Sequence, residues 1–361
     1  MSRPGAAATQ SPLFAMAPSN PRRSRGHCSR QRLALRSLLA CLATGLLAAC
    51  QTPGGPSPAG DGAPLRIGYS AWPGWFPWAV TEAKGLFGQA GVKAQMQWFD
   101  GYLDSINALN AGQLDCNSQT LNDTISSVAG GADLQVVLQN DNSTGNDQII
   151  AAQGINAIVD LKGKKVAAEE GTVDHYLLLK VLKDNGLKAT DIKFVPLETG
   201  AATAAFVAGQ VDAVAVFAPF TSQALRRPGS KVLTSSRQHP GAISDLLVCQ
   251  RKVVEQNPAA IQKLVNAWFA TLRLLDNDPA ATLPILVQRS GVTEQEFKNY
   301  AAGTTLQTLE QNRVNFRPGR TMTSLPFAAE QIGAFLVEVG LAQRQPELSQ
   351  LFNSTFVDHA K

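Results

Sequence analysis

Between residues 64 and 250 the chain alternates short apolar strands with helical segments, several of them closed by glycine, and this limits the fold more than any other feature. "PLRIGYS" (64–70) has the length and apolar content of a short buried strand. A turn follows, then a helix over Pro77 to Lys84, opened by proline at its first position and closed by Gly85. "VKAQMQW" (92–98) alternates apolar and polar residues, as a half-buried strand does, and "LDSINALNAG" (103–112) is helical. Short strands fit 114–117, 134–138 and 146–153, and "DLKGKKVAAEEG" (160–171) gives a turn and a strand. "VDHYLLLKVLKDNG" (173–186) is an amphipathic helix ended by Gly186. "KFVPL" (193–197), a helix through "AATAAFVAGQ" (201–210) and the strand "VDAVAVF" (211–217) complete a second α/β series. Past "DLLVCQ" (245–250) the chain is mostly helical. Repeated βα units predict parallel sheets covered by helices on both faces.

Residues 1–49 contain seven arginines and no acidic residue, and end in the apolar run "SLLACLATGLLAA" (37–49). That run is too short to span a bilayer. A basic segment, an apolar stretch and small residues before a cleavage point describe a secretory signal. Leu47-Ala48-Ala49-Cys50 resembles a bacterial lipobox, in which the cysteine is lipidated and becomes the mature N-terminus. Residues 1–49 are therefore expected to be a lipoprotein signal peptide, and the Pro/Gly/Ser-rich segment 50–64 a flexible tether. Removing the seven arginines leaves 25 basic against 28 acidic residues, a net charge of −3. The basic character belongs to the targeting segment, so nucleic-acid binding loses its main support. Cys116 and Cys249 both lie in strand-like contexts, compatible with a disulfide or with two buried thiols. No cysteine or histidine spacing suggests a metal site, and no cofactor motif is present.

In open α/β sheets, ligands bind beyond the carboxyl ends of strands, where helix N-termini point into a crevice. Five segments lie at such ends: "SAWPGWFPWAV" (70–80), "DGYLDS" (100–105), "NSQTLND" (117–123), "EEGTVDHY" (169–176) and "FAPFTS" (217–222). The first places three of the five tryptophans and a phenylalanine on one turn.

The segments "RIGYSAWPGWFPWAVTEAKGLF", "GQLDCNSQTLND", "GTVDHYLLLKVLKDNGL", "FVAGQVDAVAVFAPF" and "LVNAWFATL" closely resemble the solute-binding proteins of bacterial ABC importers. The branch is the one that binds nitrate, sulfonates and taurine, related to proteins that bind thiamine-pyrimidine precursors. The resemblance implies an α/β, type 2 periplasmic-binding-protein architecture: two α/β lobes joined by two crossovers, with a ligand cleft between. It places lobe 1 at 65–148 and 246–361 and lobe 2 at 149–245. It further implies an exported monomer on the periplasmic or cell-surface face of the membrane, lipid-anchored at Cys50. Its partners would be a small organic solute and an ABC permease with a cytoplasmic ATPase.

On the walls, Trp72, Trp75 and Phe76 are expected to touch the solute, with Trp78 turned into the core and Tyr102 on the second segment. Ser118, Gln119 and Thr120 offer hydroxyls and an amide at a strand-to-helix turn, where Thr120 could equally cap the helix. Asn142 to Gly145 suit a hinge, and Asp147 faces the cleft or solvent. Gly171 and Thr172 precede a helix whose free N–H groups suit an oxyanion, with Asp174 and His175 on its first turn. Phe217 stacks on the solute or joins the core. Ala218 stands where many relatives carry an acid, which loosens the carry-over of a particular ligand.

Asp100, Asp104, Asp123, Asp141, Asp147, Glu169, Glu170 and Asp174 lie on these walls or the hinge, and those segments contain no lysine or arginine. Acidic neighbours disfavour a bare anion. An aminosulfonate such as taurine is the expected solute, with nitrate a weaker candidate and a thiamine-pyrimidine precursor or other heteroaromatic amine the alternative. An enzyme of the pyrimidine-synthesis type is the remaining reading; the chain shows no cysteine-rich motif of that kind, so no catalytic residue is assigned.

Overall fold

The computed structural model describes residues 63–361. The expected signal peptide, the lipidation site Cys50 and most of the tether lie outside the described residues.

Among the described residues, eleven strands form two mixed sheets. The first contains β1 (Leu65–Tyr69), β2 (Ala94–Trp98), β3 (Cys116–Thr120), β4 (Leu134–Ser143), β10 (Ser244–Gln250) and β11 (Thr304–Leu306) in the order β11-β4-β10-β3-β1-β2. The second contains β5 (Asp147–Ala151), β6 (Lys165–Ala168), β7 (Lys193–Pro196), β8 (Ala213–Phe217) and β9 (Lys231–Ser235) in the order β7-β6-β8-β5-β9. Buried residues such as those of β8, "AVAVF", need no alternation because helices cover both faces.

The sheets are not purely parallel. β1 runs parallel to β2 and β3, and β6 to β7 and β8, as helix-connected strands must. β10 is antiparallel to β3 and β4, and β5 is antiparallel to β8 and β9. Both β5 and β10 enter their sheet from the other sheet and not over a covering helix, so nothing forces them parallel.

Those entries are the two places where the chain passes between sheets. The first is at Thr144 to Asn146, with Gly145 at φ +148°. The bend is thus narrower than the sequence suggested, because Asn142 and Ser143 are still paired in β4. The second spans residues 236–243. The crossings are tied together: Ser143 and Ser236 share a hydroxyl hydrogen bond of 2.7 Å, and the Gly145 N–H donates to Ser236 Oγ at 2.8 Å.

Local chemistry fixes the helices that frame the space between the sheets. Pro77 opens the helix Pro77–Ala83, and Gly85 takes the left-handed turn after it. Thr120 caps the helix Leu121–Ala129 by accepting the Asp123 N–H. Trp78 is fully buried, 4.6 Å from Trp268 between ring centres, and its Nε1 donates to Ser118 Oγ. Cys116 and Cys249 form a disulfide between facing residues of β3 and β10, which settles the choice the sequence left open.

Candidate functional site

Both sheets contribute to one enclosed cavity. From the first come Trp72, Trp75, Tyr102, Thr120, Ile243 and Asp245; from the second, Asp147, Val173 and Phe217. The side chains nearly fill it: the free volume is about 10 Å³, far below the ~300–1,000 Å³ of common small-molecule pockets, so a solute enters only if the walls part.

The turn after β1 builds one wall. The Trp72 N–H donates to Ser70 O and the Trp75 N–H to Trp72 O, which folds the chain tightly enough to set the two indoles 6.4 Å apart. Gly74 is required for close approach: a Cβ there would lie 2.0 Å from Asp141 Oδ2. The rings then close on themselves. Trp75 packs on Tyr102 at 5.4 Å, Tyr102 on Phe217 at 6.0 Å, and Phe217 on Trp72 at 6.2 Å. Four aromatic side chains form an unbroken circuit that draws on both sheets.

Behind the rings lies a layer of buried acids. Trp72 Nε1 donates to Asp141 Oδ1 at 3.0 Å. Asp141 faces Asp245 across the β4–β10 pair, and Oδ2 of each is buried without a hydrogen-bond partner. Tyr102 Oη and Thr120 Oγ1 donate to Asp123 Oδ2, at 2.7 and 2.9 Å. Thr199 Oγ1 lies 2.9 Å from Glu169 Oε2 and 3.2 Å from Asp174 Oδ2. Asp147 Oδ2 and Trp75 Nε1 are buried without a partner. Among the described residues, no lysine or arginine forms an ion pair with any of these six acids.

Burial without a cation raises every one of these pKa values. Asp123 is pushed up to about 6, and Asp147 and Glu169 to about 7, in each case chiefly by desolvation. Asp141, Asp174 and Asp245 shift upward for the same reason, with repulsion from neighbouring acids adding to it. Burial also raises the Tyr102 hydroxyl well above its ordinary value, so it remains a donor.

The residues expected from sequence divide into three groups. Trp72, Trp75, Tyr102, Thr120, Asp147 and Phe217 come together on the cavity wall. Phe76 points elsewhere, into a cluster with Val80 and Phe297. Ser118 is engaged by Trp78, and Gln119 by Asn117 and Thr124, within the interior of the first sheet. The turn expected to hold an oxyanion has its N–H groups occupied. Gly171 N–H donates to His175 Nδ1 and Thr172 N–H to Glu169 O. Thr172 Oγ1 donates to Glu169 O and does not cap the helix Val173–Asp184. Asp174 is buried behind the wall, and His175 stacks on Phe194 at 4.3 Å, its pKa lowered by burial.

Sequence reasoning missed Ile243, Val173 and Asp245 on the wall. Asp245 opens the return strand; the signal available was its place at the start of "DLLVCQ", where the chain re-enters the first sheet.

Two α/β sheets joined by two chain crossings, with an enclosed cavity walled by both, define a periplasmic-binding-protein fold. The alkanesulfonate-binding protein SsuA from Xanthomonas axonopodis pv. citri, bound to MOPS, matches it with a TM-score of 0.69 at 23% identity, covering 82% of this chain and 100% of that one. The desulfurization enzyme DSZB shares the fold at a TM-score of 0.57 and 14% identity, over 81% of this chain and 97% of that one. In sequence, the chain is 30% identical over 240 residues to the "Putative aliphatic sulfonates-binding protein" of Escherichia coli (strain K12), covering 65% of this chain and 74% of that protein. It is 25% identical over 245 residues to the taurine-binding periplasmic protein of the same organism, covering 65% and 76%. Residues 72–282 match the family described as NMT1/THI5 like. The chain belongs to the NMT1/THI5-like family.

Proposed function

We propose that this chain is the extracytoplasmic solute-binding component of an ABC importer. It captures a small organic solute between two lobes, one built on the first sheet and one on the second, with the chain crossing at 144–146 and 236–243, and delivers it to a membrane permease coupled to a cytoplasmic ATPase. The observation that carries the reading is the cavity itself: it is enclosed, aromatic, and walled by residues of both sheets. A site of that kind holds its ligand by closure and releases it by opening. The two Escherichia coli relatives, named for aliphatic sulfonates and taurine, support a sulfonate-type solute. An aminosulfonate such as taurine suits the acidic surroundings better than a bare sulfonate or nitrate, because its ammonium offsets buried carboxylates.

Binding without turnover is the reading favoured over an enzymatic one, since both sequence relatives are named as binding proteins. Taurine is expected to raise the melting temperature of the purified protein and to bind at one molecule per chain, since ligand binding to the native state stabilises it. Mass spectrometry of the recovered solute separates the two readings: unchanged taurine supports a receptor, and a reaction product would establish an enzyme.

The lipobox-like Leu47–Cys50 supports an anchor on the outer face of a membrane. Cys50→Ser should move the exported protein from the membrane fraction to the soluble one; retention in the membrane fraction would dismiss lipidation there.

A further inference from the structure

We infer that the cavity recognises a positively charged nitrogen, so that the solute is an organic ammonium or amidinium and not a simple anion. This rests on the receptor reading above and adds the charge class of what is bound.

The first argument is the wall. Trp72, Trp75, Tyr102 and Phe217 form a closed circuit of rings, and the faces of aromatic rings attract cations. The only ionisable groups among the lining residues besides the Tyr102 phenol are the carboxyls Asp147 and Asp245, each 1% exposed. The second is the set of vacant acceptors. Asp147 Oδ2 and Asp245 Oδ2, both on cavity-lining residues, are buried without a donor, as is Asp141 Oδ2 behind them. A buried carboxylate oxygen without a partner is costly unless a ligand supplies an N–H and a positive charge.

The third argument concerns what an anion would need. The N–H groups of Gly171 and Thr172, which would have opened an anion cradle, donate to His175 and Glu169. Trp75 Nε1 is the one unpartnered buried donor among the lining side chains of the described residues. A single indole N–H can hold one acceptor atom of a solute; it cannot balance a full negative charge beside Asp147. The fourth argument excludes the simplest cation. Among the described residues, no three of His, Cys, Asp or Glu are placed to hold a metal ion. The positive charge therefore comes from an organic group that stacks on the rings, and since the closed cavity has only about 10 Å³ free, the walls part to admit it. A zwitterion meets the rule through its ammonium, with its acceptor end toward Trp75.

A charge series on one tail tests this by calorimetry on the purified protein: butylammonium, 1-butanol and butanesulfonate, with taurine against ethanesulfonate as a second contrast. Butylammonium should bind at least tenfold more tightly than 1-butanol, and butanesulfonate most weakly. Asp147→Asn should weaken butylammonium at least tenfold while leaving 1-butanol unchanged, with an intact melting transition showing that the variant folds. Asp245→Asn supplies a second variant if the first does not fold. Equal or tighter binding of butanesulfonate, or a cation preference that survives both substitutions, overturns the inference and leaves the receptor reading standing. If none of the five probes binds, the receptor reading fails and this inference fails with it.

Discussion

The ligand-free protein should melt at a markedly lower temperature at pH 8 than at pH 5, on the order of 10 °C for a loss of several kcal/mol. The cause is the buried acid layer of Asp123, Asp141, Asp147, Glu169, Asp174 and Asp245, all with raised pKa values. In the unfolded chain these groups ionise near pH 4. Below that pH both forms are protonated and burial carries no ionisation cost. As pH rises toward about 7, the unfolded chain gives up protons that the folded chain retains, so unfolding becomes easier. Once Asp147 and Glu169 also ionise, near 7, their part of the decline levels off. A cationic solute should flatten the decline by stabilising the ionised carboxylates. Differential scanning calorimetry in a single buffer system checks it. A melting temperature that is flat or rising from pH 5 to 8 would contradict the placement of these acids in a dry, cation-free layer.

The second large effect concerns the indoles. Trp72→Ala and Trp75→Ala should each weaken solute binding by about 100-fold or more, since removing a buried tryptophan forfeits about 3–5 kcal/mol of contact. Their effects on stability should differ. Trp72 Nε1 is the donor to Asp141, so its loss also strands a buried carboxylate. Trp75 Nε1 has no partner in the ligand-free protein, so Trp75→Ala removes packing alone. Trp72→Phe separates the two roles: the ring stays, and about 1–3 kcal/mol of stability goes with the hydrogen bond. Titration followed by tryptophan emission, with melting curves alongside, measures both quantities. Unchanged affinity in both alanine variants would remove this turn from the site.

The turn at residues 70–80 was legible as a wall because it directly follows a readable strand, and strand ends are where such folds place ligands. What the sequence could not supply was direction. Trp72, Trp75, Phe76 and Trp78 look alike as a string, yet two line the cavity, one packs on Phe297 and one on Trp268. The split depends on turn hydrogen bonds and on Gly74 meeting Asp141, a residue 67 positions away in the chain. The acids were similarly ambiguous. Asp100, Asp104 and Glu170 are exposed, whereas Asp123, Asp141, Asp147, Glu169 and Asp174 are buried. Nothing local distinguishes these sets, because burial of a loop carboxylate is decided by the opposing sheet. The oxyanion turn was read correctly as a helix start at Val173. The N–H groups of Gly171 and Thr172 proved to be occupied, by His175 and by the carbonyl of Glu169. The short strands β9 and β11 pair only with distant partners and carry little pattern of their own.

The Cys116–Cys249 bond fastens β10, the strand by which the chain returns, to β3 in the middle of the first sheet. In mechanical terms it is a rivet set just beyond a pivot. A strand held by hydrogen bonds alone could peel when the sheets part; a riveted one transmits the load back to residues 236–243 and to their neighbours at 144–146, which the Ser143–Ser236 bond already couples. In the proposed opening, rotation would thereby be confined to these two neighbouring crossings. Asp245 sits on the riveted side and Asp147, on β5, on the other, so the proposed opening would draw these two cavity-lining carboxyls apart.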